Sequence, residues 1–367
     1  MADMPHGLSD HSADPPARGR KAPPAAEVLA FMQQYGIPRR WKRPRERVLT
    51  WLARVSAGFP QLEDPAALED ALLQKDLRST LFYLEGILRL YRRRYAGALE
   101  APYQRVKALE DALGQLDAAV HLQELSGRLG LAESALDWCA AQVDAAREEL
   151  AAELRTAWLP QADGTIPLFR STCEALAGLD FEGYTRDRRS LIKELRRWLK
   201  EVAGTPLDMY VLQGNHGLHE LRRQLRWFPI CAVSLDGLII TSDRYDPIEK
   251  YRALLTSEVA QSPFARLPEP LREDHPIEIS RSLFLAATLF ISQLGELKDA
   301  GEDLQGVAHA LIGGGVARSS RAALAQALSV LGRTPEQQRD FHARAERLYR
   351  ELRRQRFFRC LRADLAR

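Results

Sequence analysis

Residues 184–204 read YTRDRRSLIKELRRWLKEVAG, and this stretch decides the fold class because its apolar residues recur at spacings of three and four. At about 100° per residue, Leu191, Leu195 and Val202 fall on one side of a helix. The same spacing recurs in most other long segments, whereas alternating apolar and polar runs are scarce. The sequence therefore predicts an all-α protein.

The periodic segments also give approximate helix positions. We expect helices at about 25–35, 41–57, 65–97, 99–129, 132–158, 184–203, 214–240, 246–259, 277–312, 316–331 and 335–366. One region is ambiguous, because the apolar runs on either side of Asp236-Gly237 would also suit a tight hairpin. Helical spacing continues from Leu221 to Ile239, which favours a helix bent at Pro229.

The distribution of Pro and Gly predicts two halves in this chain of 367 residues. Several of these residues fall between 160 and 184 and interrupt the periodicity, as expected of a hinge. The predicted organisation is a disordered leader at 1–24, accessory helices at 25–60, a first helical half at 61–160, a linker at 161–183, a second half at 184–330 and a basic C-terminal helix at 331–367.

Composition excludes several classes of protein. The 52 basic and 49 acidic residues nearly balance, so only local clustering could mark a polyanion site. The four cysteines are far apart and form no CxxC pair, which argues against a disulfide framework and against a zinc site. The most apolar stretch, 283–294, is too short to span a bilayer. The sequence predicts a soluble cytoplasmic protein with no membrane contact, no cofactor and no bound metal.

Local charge clustering is strongest in residues 184–204. Six basic side chains share about one third of the predicted helix circumference: Arg186, Arg189, Lys193, Arg196, Arg197 and Lys200. Like charges at these spacings repel each other, so the row suits an anionic partner. The alternative is that these long side chains merely solvate an exposed face.

A second basic row follows in residues 215–228, NHGLHELRRQLRWF. One predicted helix face carries His219, Arg222, Arg223 and Arg226. If the two helices pack through their apolar faces, we expect both rows to line a common groove, where guanidinium groups can each bind two phosphate oxygens. His216 and His219 have a spacing that could hold a metal, but no third ligand lies at a suitable spacing.

No enzyme motif is recognisable. The patterns G-x-S-x-G, H-E-x-x-H and G-x-x-x-x-G-K-[ST] are all absent. The glycines at 313–315 superficially suggest a phosphate-binding loop, but they lack the lysine of a P-loop and follow no predicted strand. They are better interpreted as a helix break, with Ser319 or Ser320 capping the next helix. We expect a protein that binds its ligand without turnover.

Two short motifs organise these features. His219, Arg222 and Arg226 match a pattern H-x-x-R-x-x-x-K/R, and Leu294-Gly-Glu-Leu-Lys-Asp299 looks like a later pattern L-G-x-x-R/N-D, with Lys298 in the place of Arg or Asn. Together they resemble the CHAD domain, a helical family built from two repeats. The first repeat is degenerate, because Arg78 keeps its place but Lys75 stands where the histidine belongs.

The resemblance implies two antiparallel four-helix bundles related by a pseudo-twofold axis, with a basic groove that binds inorganic polyphosphate. It assigns His219, Arg222, Arg226 and Arg78 to that groove. The alternative is a helical scaffold or protein-interaction protein that has lost the anion site. That alternative is favoured by Phe82, Tyr83 and Glu85, which occupy places that are basic in the family pattern. Nucleic acid is a competing partner for the same groove, because it offers the same phosphate charge. It is less favoured because the sequence has no recognisable recognition module such as a zinc finger or RRM.

Overall fold

The computed structural model describes residues 26–37, 42–59, 75–204, 215–243 and 276–366, together with residues 69, 72, 265 and 267. This part of the chain is mostly helical, which confirms the all-α prediction. Its twelve helices are α1 (Ala26–Gln34), α2 (Arg43–Gly58), α3 (Lys75–Arg92), α4 (Ala96–Arg128), α5 (Glu133–Ala157), α6 (Pro167–Gly178), α7 (Tyr184–Gly204), α8 (Asn215–Ser234), α9 (Arg281–Gly313), α10 (Ser320–Val330), α11 (Pro335–Arg354) and α12 (Phe357–Asp364). Two strands, β1 (Ile239–Ser242) and β2 (Ile277–Ser280), accompany them.

Helices α3, α4 and α5 pack side by side along the chain. The turn at 93–95 joins α3 to α4, and the turn at 129–132 joins α4 to α5. Gly130 lies just after the end of α4 and has a φ of 64°, a conformation that glycine adopts without steric cost. Connections this short force neighbouring helices to run back along each other.

Helix α2 is buried along most of its length and is tied to α3 and α7 by charge. The guanidinium of Arg47 is 0 % exposed and lies 2.5 Å from the carboxylate of Asp187. It also donates a hydrogen bond to the hydroxyl of Tyr91 at 3.1 Å. A buried charge needs such partners, because an unpaired ion in the core is strongly destabilising.

Apolar packing forms two clusters among the described residues. The large one combines residues from both predicted halves, for example Leu88 of α3, Leu195 of α7 and Phe284 of α9. The smaller one lies where the ends of α4 and α9 meet α5 and α10, around Cys139 and Val307. Among the helices of the described ranges, none is long and apolar enough to cross a membrane.

The region around Asp236-Gly237 differs from both predictions for it. Helix α8 continues through Pro229 as expected, but it ends at Ser234 rather than near 240. Asp236 and Gly237 then adopt positive φ values of 50° and 85° and turn the chain into β1. That strand pairs in parallel with β2, with Ile239 opposite Ile277, so neither a continuous helix nor a hairpin is correct.

Three further helix predictions can be compared with the structure. The expected linker contains α6, which begins at a proline in its first turn, where proline is well tolerated. The expected C-terminal helix is broken at Arg356, whose φ is 55°. The break after Gly313 is confirmed, because the side chain of Ser319 caps α10 by accepting a hydrogen bond from the backbone N–H of Ala322. The helix predicted at 246–259 lies outside the described residues.

Candidate functional site

A cleft of about 1290 Å³ opens between α3, α4, α8 and α9. Close approach of α8 and α9 shapes one wall, because a Cβ atom at Gly295 would lie only 3.1 Å from Nε of Arg222. Aromatic side chains contribute apolar surface to the cleft, among them Phe82, Tyr103 and Trp227. The cleft therefore combines an apolar lining with many charged groups.

Arg222 and Arg226 of α8 reach the cleft without a carboxylate partner in the part of the chain that the structure describes. The Nε atom of each is buried and has no hydrogen-bond partner there. The guanidinium of Arg226 lies 3.8 Å from the ring centre of Phe82. Burial, reinforced by the nearby positive charge of Arg222, lowers the pKa of Arg226 to about 10. An anion bound here would offset both effects.

The other two predicted cleft arginines are already paired. Arg78 lies 2.6 Å from the carboxylate of Asp117 and 3.5 Å from that of Glu110. Arg223 lies 2.7 Å from the carboxylate of Glu220. Their charge is largely satisfied within the protein, so they are weaker candidates for holding a ligand.

Glu85 is the cleft residue that the sequence reasoning missed. Its side chain lies on the apolar face of α3, between Leu81 and Leu88, and the residue is only 3 % exposed. Within the described ranges, no hydrogen bond or ion pair engages its carboxyl group. Burial, together with the negative charge of Glu110, raises the pKa of Glu85 to about 7. The sequence does contain a signal for Glu85, namely a carboxyl group at an otherwise apolar helix position.

Carboxyl groups outnumber the cations of the cleft. The described lining includes seven Lys and Arg residues, namely Arg78, Arg89, Lys107, Arg222, Arg223, Arg226 and Lys298. It includes nine acidic residues, namely Glu85, Glu110, Asp111, Asp117, Glu201, Glu220, Asp299, Glu302 and Asp303. A long polyanion threaded through this cleft would meet repulsion as well as attraction.

The basic row of α7 lies elsewhere, which corrects the prediction of one shared groove. Helices α7 and α8 do pack through their apolar faces, with the rings of Trp198 and Phe228 stacked 6.4 Å apart. The basic side chains of α7 point away from that contact, and none of them lines the cleft. Four are exposed and two are half-buried: Arg186, Arg189, Lys193 and Lys200, then Arg196 and Arg197.

Most of the α7 row has no acidic partner among the described residues. Arg197 is the exception, since it pairs with Glu194 and, at 3.4 Å, with Glu201. We call the remaining five side chains the α7 basic face: Arg186, Arg189, Lys193, Arg196 and Lys200. They form a stripe of like charge opposite the buried face of the helix.

One described histidine lines the cleft, His121, whose Nε2 lies 3.0 Å from the carboxylate of Asp303. Helix α8 carries His216 and His219, but their side chains lie outside the described part of the structure. Within that part, no group of three or more His, Cys, Asp or Glu side chains is arranged to hold a metal ion.

Comparison with known proteins gives no relative for this chain. No family model matches it, and no curated protein and no solved structure matches it either. The resemblance to the CHAD domain therefore stays a prediction that rests on the two sequence motifs alone.

Proposed function

We propose that the protein binds a polyanion without turnover, and that the α7 basic face is the binding surface. Inorganic polyphosphate is the ligand that we favour. The observation that carries the proposal is the set of five cations on one helix face with no carboxylate partner among the described residues. Side chains of like charge at i,i+3 and i,i+4 spacings destabilise a helix unless something else neutralises them.

The shape of the face supports a polymer rather than a single phosphate. Arg186 and Lys200 are separated by 14 residues, which corresponds to about 21 Å along the helix axis at roughly 1.5 Å per residue. A linear polyphosphate could contact the whole row, and each contact would release a condensed counterion. Guanidinium groups also bind two oxygens of one phosphate at once.

The cleft supports polyanion binding less well, because acidic residues outnumber basic ones in its described lining. This weighs against the groove that the CHAD resemblance implies. The CHAD resemblance also implies a pair of four-helix bundles and assigns His219, Arg222, Arg226 and Arg78 to an anion groove, and both stay predictions that rest on the two motifs. Cytoplasmic location is a separate prediction, which rests on the four widely spaced cysteines.

The proposal is tested by titrating long-chain polyphosphate into the protein at about 50 mM and about 200 mM salt. The test variant combines R186Q, R189Q, K193Q and K200Q, all exposed positions. We expect wild-type affinity to fall steeply with salt. In the variant the logarithmic salt slope should be smaller by about 3, at roughly 0.7 for each lost contact.

A matched control removes the same charge elsewhere. It combines R128Q, R155Q, R318Q and R321Q, which are exposed arginines on or beside other helices. The control should bind polyphosphate almost as well as the wild type, and circular dichroism should show equal helix content in all three proteins. Equal losses in both variants, or none in the α7 variant, would reject the α7 basic face.

The second candidate function is a helical scaffold for another protein. It is favoured by the pairing of Arg78 with Asp117 and Glu110, because these carboxylates compete with an anionic ligand for one predicted groove cation. A partner that stays bound in pull-downs at high salt and after polyphosphatase treatment would support the scaffold. Competition between polyphosphate and single-stranded RNA would separate polyphosphate from nucleic acid, since both offer repeated phosphates.

A further inference from the structure

The cleft brings together groups of opposite charge that have no hydrogen-bond or ion-pair partner in the part of the chain that the structure describes. Glu85 on α3 is only 3 % exposed, and no described hydrogen bond or ion pair engages its carboxyl group. Arg222 and Arg226 on α8 each bury an Nε atom that has no described partner. These groups influence one another through the cleft, but no described hydrogen bond or ion pair joins them.

Leaving such groups unpaired is costly. A buried carboxyl or guanidinium loses its hydration, and the loss is recovered only when a partner supplies hydrogen bonds and opposite charge. Within the described residues, the guanidinium of Arg226 contacts the aromatic ring of Phe82. The cleft thus offers two sets of unused bonding capacity, one anionic and one cationic.

We propose that this cleft binds a small organic zwitterion, with its oxyanion group at Arg222 and Arg226 and its ammonium group at Glu85. The apolar part of such a ligand would contact Phe82, Tyr103 and Trp227, which line the same cleft. Carboxyl groups elsewhere in the lining disfavour a polyanion but are compatible with a ligand of no net charge or small net charge. This site is separate from the α7 basic face and does not depend on it.

Binding of an ammonium group should be linked to proton release. The charged and titratable groups around Glu85 come from α3, α4 and α8: Arg89, Tyr103, Lys107, Glu110, Asp111, Arg226 and Cys231. Burial raises the pKa of Glu85 to about 7, so a substantial fraction of the free protein carries a proton there at neutral pH. A bound cation favours the ionised carboxylate, so this proton should leave.

The test compares three probes by isothermal titration calorimetry at pH 7. O-Phosphoethanolamine carries both charges, inorganic phosphate only the anion and ethanolamine only the cation. We expect phosphoethanolamine to bind at least tenfold more tightly than either fragment. Titrations in two buffers of different ionisation heat should show a net release of protons when the ligand binds.

Two variants assign the contacts. E85Q should bind phosphoethanolamine no better than phosphate and should release no proton, while R226Q should lose affinity for both phosphate-bearing probes. E302Q is the matched control, since it removes one negative charge from the same cleft at a side chain that already pairs with Lys298. It should keep both the affinity and the proton release.

Three results would overturn the proposal: absence of binding by phosphoethanolamine, equal affinity for phosphoethanolamine and phosphate, or proton release that persists in E85Q. Thermal unfolding of each variant confirms that the fold is intact. The four-site α7 variant should bind phosphoethanolamine as the wild type does. Failure of the polyphosphate proposal is therefore distinguishable from failure of this one.

Discussion

Aromatic rings explain how Arg226 and Arg89 remain half-buried without a carboxylate partner among the described residues. The guanidinium of Arg226 lies over Phe82, and that of Arg89 lies 4.5 Å from the ring centre of Trp227. A guanidinium group is more weakly hydrated than an ammonium and gains energy over a ring face. In the CHAD pattern, Phe82 counts as the loss of a basic residue. In the structure, the ring of Phe82 contacts the guanidinium of the neighbouring Arg226.

Glu85 should make the stability of the protein depend on pH. Burial raises the pKa of Glu85 from 4.5 to about 7, so the folded state binds a proton that the unfolded state releases. The contribution of the protonated carboxyl is complete below about pH 4.5 and is lost as the pH rises through about 7. In denaturant titrations, the advantage of E85Q over the wild type should grow by about 3 kcal/mol across this interval.

The control for this prediction is E148Q, at an exposed position of α5. Its free energy of unfolding should follow that of the wild type at every pH. If E85Q also runs parallel to the wild type between pH 4.5 and pH 8, the carboxyl of Glu85 is not held in the buried state that the structure shows.

At the scale of single elements, the contact between α5 and the end of α9 depends on Gly314. A Cβ atom there would lie 2.5 Å from Cα of Ala135, which is a backbone atom and cannot rotate away. We therefore expect G314A to lower the free energy of unfolding by about 1–3 kcal/mol or more, as overpacked cores do. Thermal unfolding followed by circular dichroism measures the loss.

G127A is the matched control, because a Cβ atom at this position of α4 meets nothing within 4 Å. Alanine is the better helix former, so the control should be unchanged or more stable by about 0.5–1 kcal/mol. Equal destabilisation of both variants would show that helix propensity, and not the contact between α5 and α9, controls the result.

Periodicity predicted the elements better than their arrangement. It located α7 and its basic face, because burial of Leu191 and Leu195 fixes which side of that helix is exposed. It missed the four residues of β1, since a short apolar run such as Ile239-Ile240 fits a helix and a strand equally well. It also could not give the rotation of α7 relative to α8, which depends on contacts between residues far apart in the chain.

Across the whole molecule as described, both predicted halves contribute to the larger apolar cluster, and hydrogen bonds join α8 to α2 and α3. The end of α8 contacts α3, where the hydroxyl oxygen of Ser234 lies 2.9 Å from the backbone carbonyl oxygen of Tyr83 and 2.7 Å from that of Ile230, so one proton is shared between two acceptors. The indole of Trp51 in α2 donates a hydrogen bond to the backbone carbonyl of Ser234 at 2.8 Å. Gly86 permits this approach, because a Cβ atom there would lie 2.5 Å from Oγ of Ser234.

This shared core predicts that α3 and α9 unfold together. Leu88 and Phe284 are both fully buried in the same cluster, so L88A should cost about 2–5 kcal/mol and F284A about 3–5 kcal/mol. Hydrogen exchange measured across a denaturant series should give α3 peptides and α9 peptides one midpoint, and each variant should lower both equally. L324A, at a residue that is 44 % exposed, should lower neither. A variant that shifted only the peptides of its own half would mean that the halves unfold independently, because contacts between them would then contribute little to the stability of either.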